Sequence, residues 1–503
     1  MTEKTRSQNA KKNIVFGYIA QIGIFILSFI GRKIFLYYLS ADYLGINGLY
    51  TNILTVLSLA ELGLDSAFVF SLYKPVAERN YDLVYSLLKF FKKIYYILAF
   101  SLFAIGMALT PFLKYLVDKD ISQTDLIYYY VIFLANMITT YFVAHKIALL
   151  SAFQEQRIQQ LFMLFSNLAL QVLQIAALIV FGDYHVYVLT LIITTVIYNI
   201  VLSIVADRLH PEVFKAKKQI PFDKSEIYKR IRATFMYKLG AVLINSTDNI
   251  LISILVSISA VGLYSNYYAV INAFVTLIAV INASLITGIG NMAVKESKEK
   301  QKELFDMMQL IYHIIAALGL IGFSLLFKDL ITVWLGEKYL LDDMTVFIIS
   351  LNFYITYAIA PVWIFREANG LFNEVKYLLL IRAAINIILS IILGKFFGVS
   401  GIFLATTISH LLTNVWYEPG ILSNKLFENM QKKYWLKQLK YMLITVVCYA
   451  ACYFSIHNIS CDIIALILKT VIVCAITVLV FCLTNFRTAE FAKFKTYIIN
   501  KKI

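Results

Sequence analysis

"GLYTN" at residues 48–52 and "GLYSN" at residues 262–266 stand 214 positions apart. Each follows an apolar run interrupted by polar residues, and each opens the next apolar run. A membrane-spanning helix needs about 20 mostly apolar residues. Counted on that basis, the offset equals six spans. An even number of spans returns the chain to the side it started from, so the two copies head lobes of the same orientation. That is a parallel repeat, related by an axis along the membrane normal, with a substrate path between the lobes. The repeat therefore predicts an all-α membrane protein with two six-helix lobes around a central cavity.

The rest of the sequence fits that frame. Of 503 residues, 60% are hydrophobic and 15% charged, and mean hydropathy is +0.75. A soluble domain is about 45–50% apolar and about 25% charged. Fourteen apolar spans are expected, and the first six lie near 14–39, 45–73, 87–113, 125–151, 158–181 and 186–207. The next six lie near 231–257, 260–292, 304–327, 344–366, 376–397 and 399–421, and two more near 438–457 and 462–484. The organisation read from these is an N-terminal lobe at 1–207, a linker at 208–230, a C-terminal lobe at 231–421, and accessory spans with a cytoplasmic tail at 422–503. The basic start runs into an apolar stretch too long for a signal peptide, so the first span is expected to be retained.

Charge placement orients the chain. The segments on the side of the termini hold 34 Lys and Arg residues, whereas the opposite side holds 5: Lys114, Lys119, Lys328, Lys338 and Lys395. By the positive-inside rule both termini are cytoplasmic. The net charge of +15 then reflects topology and attraction to anionic lipid, not nucleic-acid binding. The five cysteines all fall in the last apolar hairpin, without CxxC spacing, and read as buried small apolar side chains.

Six cations remain inside the spans, and they carry the functional argument. An intramembrane charge costs about 2.5–3.5 kcal/mol on insertion scales, which calls for a partner, water or a function. In span one, Tyr18, Gln21, Phe25, Ser28 and Arg32 follow at steps of 3, 4, 3 and 4, so they share one helical face. Arg32 ends this polar stripe. Lys33 continues the apolar face of Ile22, Ile26 and Phe29 and lies close enough to the helix end to snorkel. Span seven carries Lys238, Asn245, Asp248 and Asn249 broadly on one face; span two carries Ser58, Glu61 and Asp65; span eleven carries Arg382 and Asn386. Lone amides such as Asn167, Gln171 and Gln174 read as interhelical glue. His145 and Lys146 lie at the inner end of span four, with Lys146 placed to reach the cytoplasm, and His313 reads as a packed interior histidine.

Arg32, Lys238 and Arg382, with Gln21 and Asn245, point to an anionic, phosphate-bearing substrate, since guanidinium matches phosphate through a planar fork and ammonium acts as a point charge. Glu61, Asp65 and Asp248 suit either pairing with those cations or coupling to H+ or Na+. No Walker loop, HExxH or nucleophile elbow is present. The longest outer loop, near 328–343, leaves little room for an enzyme's acceptor site. No cofactor is expected, and a transporter is favoured over a channel or a polymerase.

Residues 31–78, with "LAELGL" at 59–64 and "GLYTN" at 48–52, closely resemble the start of the bacterial Wzx-type oligosaccharide flippases. These form the polysaccharide-transporter branch of the multidrug/oligosaccharidyl-lipid/polysaccharide exporter superfamily. "NSTDNILISILVSISAVGLYSNYYAVI" (245–271) resembles that family's seventh and eighth helices. The resemblance covers about residues 10 to 420. It implies a flippase that moves an undecaprenyl-diphosphate-linked oligosaccharide from the inner to the outer leaflet of the bacterial cytoplasmic membrane by alternating access, for surface polysaccharide synthesis. Partners implied are membrane lipids, glycosyltransferases and a polysaccharide polymerase. Arg32 matches an arginine position of the family's first helix, and Asp248 an acidic position of the seventh; Lys238 and Arg382 carry over less directly. A cation-coupled multidrug exporter of the same superfamily is the alternative, with a polymerase or ligase behind it.

Overall fold

In hydrocarbon every backbone polar group must be satisfied within the protein, so an apolar chain of this kind folds as helices. The computed structural model describes residues 23–500 except 62, 119, 120, 217, 373, 376 and 429. Gln21 lies outside the described residues, and so do the side chains of Lys238 and Asn245 and a few others. All regular structure among the described residues is helical.

The chain divides into two compact units, 1–262 and 263–503. The first begins with α1 across 23–38, then α2 (Ala41–Leu57), a 3-10 turn at Ser58–Glu61, and α3 (Leu64–Ala77). Next come α4 (Tyr81–Ala108), α5 (Gln123–Ala152), α6 (Gln156–Phe181) and α7 (Tyr184–Leu209). A short α8 (Pro211–Lys215) leads to α9 (Ser225–Ser246), α10 (Asp248–Leu255) and the first residues of α11 (Ile258–Lys295). Side-chain caps start the long helices: Asn80 accepts from the Leu83 amide at 3.1 Å, and Ser122 accepts from that of Asp125 at 3.1 Å. Gly182, at φ +62°, closes α6 in the left-handed conformation that glycine takes without a Cβ penalty.

The second unit contains the remainder of α11, then α12 (Lys298–Trp334), α13 (Asp343–Ala358) and α14 (Ala360–Ala368), the last two bent by 42°. Next come α15 (Leu378–Leu412), α16 (Asn414–Lys425), α17 (Met430–Ile456), α18 (Ile463–Asn485) and α19 (Ala489–Asn500). Its main apolar core joins α12, α17 and α18 through Leu310, Ile321, Tyr441, Cys448, Cys452 and Phe481. The tail helix α19 is tied to this core by charge. Lys437 on α17 lies 2.7 Å from Asp306 on α12 and 2.6 Å from Glu490 on α19.

Nine of the described helices are long and apolar enough to cross a bilayer, or ten with the bent α13–α14 pair. The 48-residue stretch Leu378–Lys425 counts as one of these. Gly398 within it has φ +58°, ψ −135°, so the chain turns there and the stretch holds the two spans expected on either side of residue 398. The expected first span begins among residues that are not described. The expected second and seventh spans are present but broken: α2 and α3 have 17 and 14 residues, and the seventh divides into α9, 22 residues but rich in Lys and Arg, and the 8-residue α10. The fold is thus an all-α, multi-pass membrane protein consistent with about fourteen spans.

Two expectations change. Residues 45–73 and 231–257 read as continuous helices from hydropathy, yet both break near their polar residues. The cysteine reading holds for Cys448 and Cys452, which are buried, and fails for Cys461 and Cys474, which are exposed.

The repeated motif has a packing role. A Cβ on Gly262 would run into the carbonyl oxygen of Ala41, and one on Gly45 into that of Ile258. A Cβ on Gly48 would come within 3.2 Å of Val261 Cγ1 and 3.5 Å of Asn249 Nδ2. The starts of α2 and α11 therefore cross backbone against backbone, as small residues permit in membranes. Asp42 accepts from the Ser259 hydroxyl, and Asp118 accepts from the Ile258 amide at 2.9 Å, which fixes the start of α11 in the first unit.

Candidate functional site

The break between α2 and α3 carries two carboxylates, Glu61 half-buried and Asp65 exposed. The α-helix tightens to 3-10 geometry at Ser58–Glu61, and Gly63 takes φ +92° before α3 resumes. Glu61 and Asp65 flank that break. Tyr95 on α4 donates its hydroxyl to Asp65, and Tyr141 on α5 donates to Glu61. The two tyrosine rings stack at 6.4 Å, and Phe68 and Phe91 stack beside them at 3.8 Å. The result is a pair of carboxylates held by phenols inside the first unit, at a discontinuous helix. Such breaks expose backbone groups and commonly form the ion and substrate sites of transporters. The acids were legible in the sequence; the tyrosines were not, because each is one of 34 and lies on another helix.

The helical faces of α1 separate as spacing predicted. Lys33 is exposed along with Ile26 and Ile30, whereas Arg32 is half-buried. Arg32 acts electrostatically on Tyr187 of α7. Beside it Phe35 packs edge-on to Tyr187 at 4.9 Å and to Tyr184 at 6.2 Å. Gly31 brings the helix against Gln171 of α6: a Cβ there would lie 3.3 Å from Gln171 Oε1. So α1 approaches α6 closely at Gly31 and Gln171, and Arg32 lies next to a segment packed on an aromatic cluster that only the fold assembles.

Asp248 is half-buried at the α9–α10 break, and its neighbour Asn249 faces Gly48. Lys238 and Asn245 belong to α9, with side chains outside the described set. In the second unit Arg382 acts on His410 and Glu418. Glu418 is 3% exposed; its Oε2 lies 3.5 Å from Nε of Arg366, itself 5% exposed, and its other oxygen accepts from Asn414. Sequence reasoning missed this group, since Arg366 read as a residue of a cytoplasmic loop. It is an ion pair buried at the α14–α16 contact. Asn386 donates to Thr406 at 2.9 Å, the interhelical use expected of an intramembrane amide.

The histidines separate cleanly. His313 is fully buried, with Nδ1 2.6 Å from the Gln309 carbonyl and Nε2 2.9 Å from the Gln438 side-chain amide, a packed interior residue. Lys146 pairs with the exposed Asp207 at 2.6 Å. No group of three or more metal-ligating side chains occurs among the described residues.

Comparison with known proteins places this architecture. No family profile and no curated protein matches the sequence. Solved structures do match. The lipid II flippase MurJ, in an inward closed conformation, superposes with a TM-score of 0.71 over 94% of this chain and 99% of its own, at 15% identity. The chain has the fold of a MOP-superfamily transporter. An inward-facing multidrug resistance MATE transporter of that superfamily superposes at TM-score 0.60 over 78% of this chain and 94% of its own, with 13% identity. A point mutant of the Vibrio cholerae MATE transporter VcmN gives 0.56 over 84% and 100%, with 16% identity.

Proposed function

We propose that this chain is a MOP-superfamily flippase for a phosphate-bearing, lipid-linked oligosaccharide. In this reading it moves undecaprenyl-diphosphate-linked repeat units to the outer leaflet of a bacterial cytoplasmic membrane for surface polysaccharide synthesis, with both termini cytoplasmic. The observation that carries it is the extent of the superposition. The lipid II flippase covers 94% of this chain, and the MATE transporters 78% and 84%. The flippase superposes over roughly 80 more of the 503 residues than the former MATE structure does, which supports the flippase reading. The "LAELGL" and "GLYTN" resemblance adds the oligosaccharide branch, and Arg32 and Arg382 supply forks suited to a diphosphate.

The test is genetic and chemical. Deleting the gene in a strain with no second flippase should leave undecaprenyl-linked repeat units on the inner leaflet and strip the surface polymer. Unchanged polymer in that strain would refute the proposal.

One observation favours the second reading, a cation-coupled multidrug exporter. The phenol-held pair Glu61 and Asp65 at a helix break has the donor set of a proton or Na+ site. Asp65→Asn should then abolish resistance to cationic dyes that the wild type confers. If the wild type confers no such resistance while Asp65→Asn still lowers polymer export, the pair serves coupling in the flippase instead.

A further inference from the structure

Within the first unit, α4, α5 and α7 border a cleft of about 1000 Å³. Its wall carries four lysines, Lys89, Lys92, Lys93 and Lys146, against one carboxylate, Asp207. Asp207 is taken by Lys146, whose Nζ lies 2.6 Å from it and 2.7 Å from Ser203 Oγ. Lys89, Lys92 and Lys93 are exposed, and none has an ion pair among the described residues. His145 lines the same wall at 6% exposure, and its Nδ1 has no hydrogen-bond partner among the described residues. Three lysines without a carboxylate partner among the described residues therefore share one wall, with Lys92 also lying over the Tyr96 ring.

The cleft is not uniformly polar. Beyond the lysines, its α4 wall continues into Ile97 and Phe100, which are 56% and 65% exposed. From Lys89 to Phe100 is eleven residues, about 16 Å of helix. A cationic mouth that grades into exposed apolar side chains over that length matches a lipid from phosphate to upper acyl chain. A free anion would use only the polar half.

We infer that this cleft binds the headgroup of an anionic phospholipid. The phosphate sits among Lys89, Lys92 and Lys93, and an acyl chain runs along Ile97 and Phe100. In the orientation proposed above, the lipid belongs to the inner leaflet, where basic pockets between helices hold phosphate-bearing headgroups. The site stands independently of the transported substrate, since every residue named lies outside the groups assigned to that substrate.

Native mass spectrometry of the purified full chain reads the site directly, with dioleoylphosphatidylglycerol, dioleoylphosphatidylcholine and inorganic phosphate as probes. The wild type should retain phosphatidylglycerol at least tenfold better than phosphatidylcholine. Each lysine near an anionic headgroup is worth about fivefold, so the triple variant Lys89→Gln, Lys92→Gln, Lys93→Gln should lose roughly a hundredfold and with it the preference. A control triple elsewhere on the lysine-rich side (Lys298→Gln, Lys432→Gln, Lys433→Gln) should keep the preference. Equal retention of the two lipids, an undiminished preference in the first triple, or equal loss in the control would overturn the inference. Displacement of phosphatidylglycerol by an equal concentration of inorganic phosphate would assign a free-anion site in its place.

Discussion

Gly262→Ala should destabilise the protein although it adds only a methyl group. The new Cβ would lie about an ångström inside the 3.0 Å that real Cβ contacts essentially never breach, and it would meet a backbone carbonyl, that of Ala41. Backbone cannot rotate away as a side chain can, so the crossing of α2 and α11 must open. Overpacking of this kind costs about 1–3 kcal/mol, occasionally more. Alanine's better helix propensity returns about 0.5–1 kcal/mol. The control lies in the same helix: Gly288 has nothing within 4 Å of its would-be Cβ, so there only the propensity gain applies. The two variants should differ by about 1–3 kcal/mol, the overpacking cost alone, because the propensity gain is common to both. For a unit of this size each kcal/mol moves Tm by about 2–4 °C. Melting measured by the folded fraction on size exclusion after heating should therefore fall for Gly262→Ala and stay level or rise for Gly288→Ala. Gly45→Ala should act like Gly262→Ala, because its Cβ meets Ile258 across the same crossing. The double variant should cost less than the sum, since one opened crossing accommodates both methyls. A Gly262→Ala protein that melts with the wild type would refute the close approach and, with it, the packing role assigned to the repeated motif.

Arg366→Ala should cost about 3–5 kcal/mol by stranding the buried Glu418, while Arg366→Met with Glu418→Leu should be close to neutral or stabilising; melting temperatures of the two separate a buried ion pair from general packing, and equal losses would reject the pairing. Asp342 caps α13, accepting from the Thr345 amide at 2.8 Å and its hydroxyl at 2.6 Å. Partial burial raises its pKa, but these bonds and one from Ser400 outweigh that and hold it below its ordinary 3.8. A depressed carboxylate pKa contributes stability that is complete above the unfolded value and is lost as pH falls through the folded one. Melting between pH 6 and 3 should therefore show an acid loss setting in below about pH 4, and Asp342→Asn should reduce its slope; an identical slope in the variant would remove Asp342 from the acid response.

What the sequence could say followed from what hydropathy and period measure. Apolar length gives span number, and Gly398 sits where two spans were divided because a left-handed residue is a local property. The 3.6-residue period separated Arg32 from Lys33, since both facts lie within one helix. Hydropathy could not see that the helix through 45–73 breaks, because Leu57, Leu59 and Leu64 remain apolar across the break and the 3-10 turn leaves the average unchanged.

By itself, then, the sequence determined an all-α membrane chain, its approximate span boundaries and some of the intramembrane ionisable residues, all of which depend on neighbours along one helix. Only the tertiary structure decided what those residues meet. Asp65 meets Tyr95 thirty residues away, Lys146 meets Asp207 sixty-one residues away, and Arg366 meets Glu418 on another helix. It also explained why the two "GLY" motifs carry glycine, since a missing Cβ has meaning only when another chain segment arrives to fill its place.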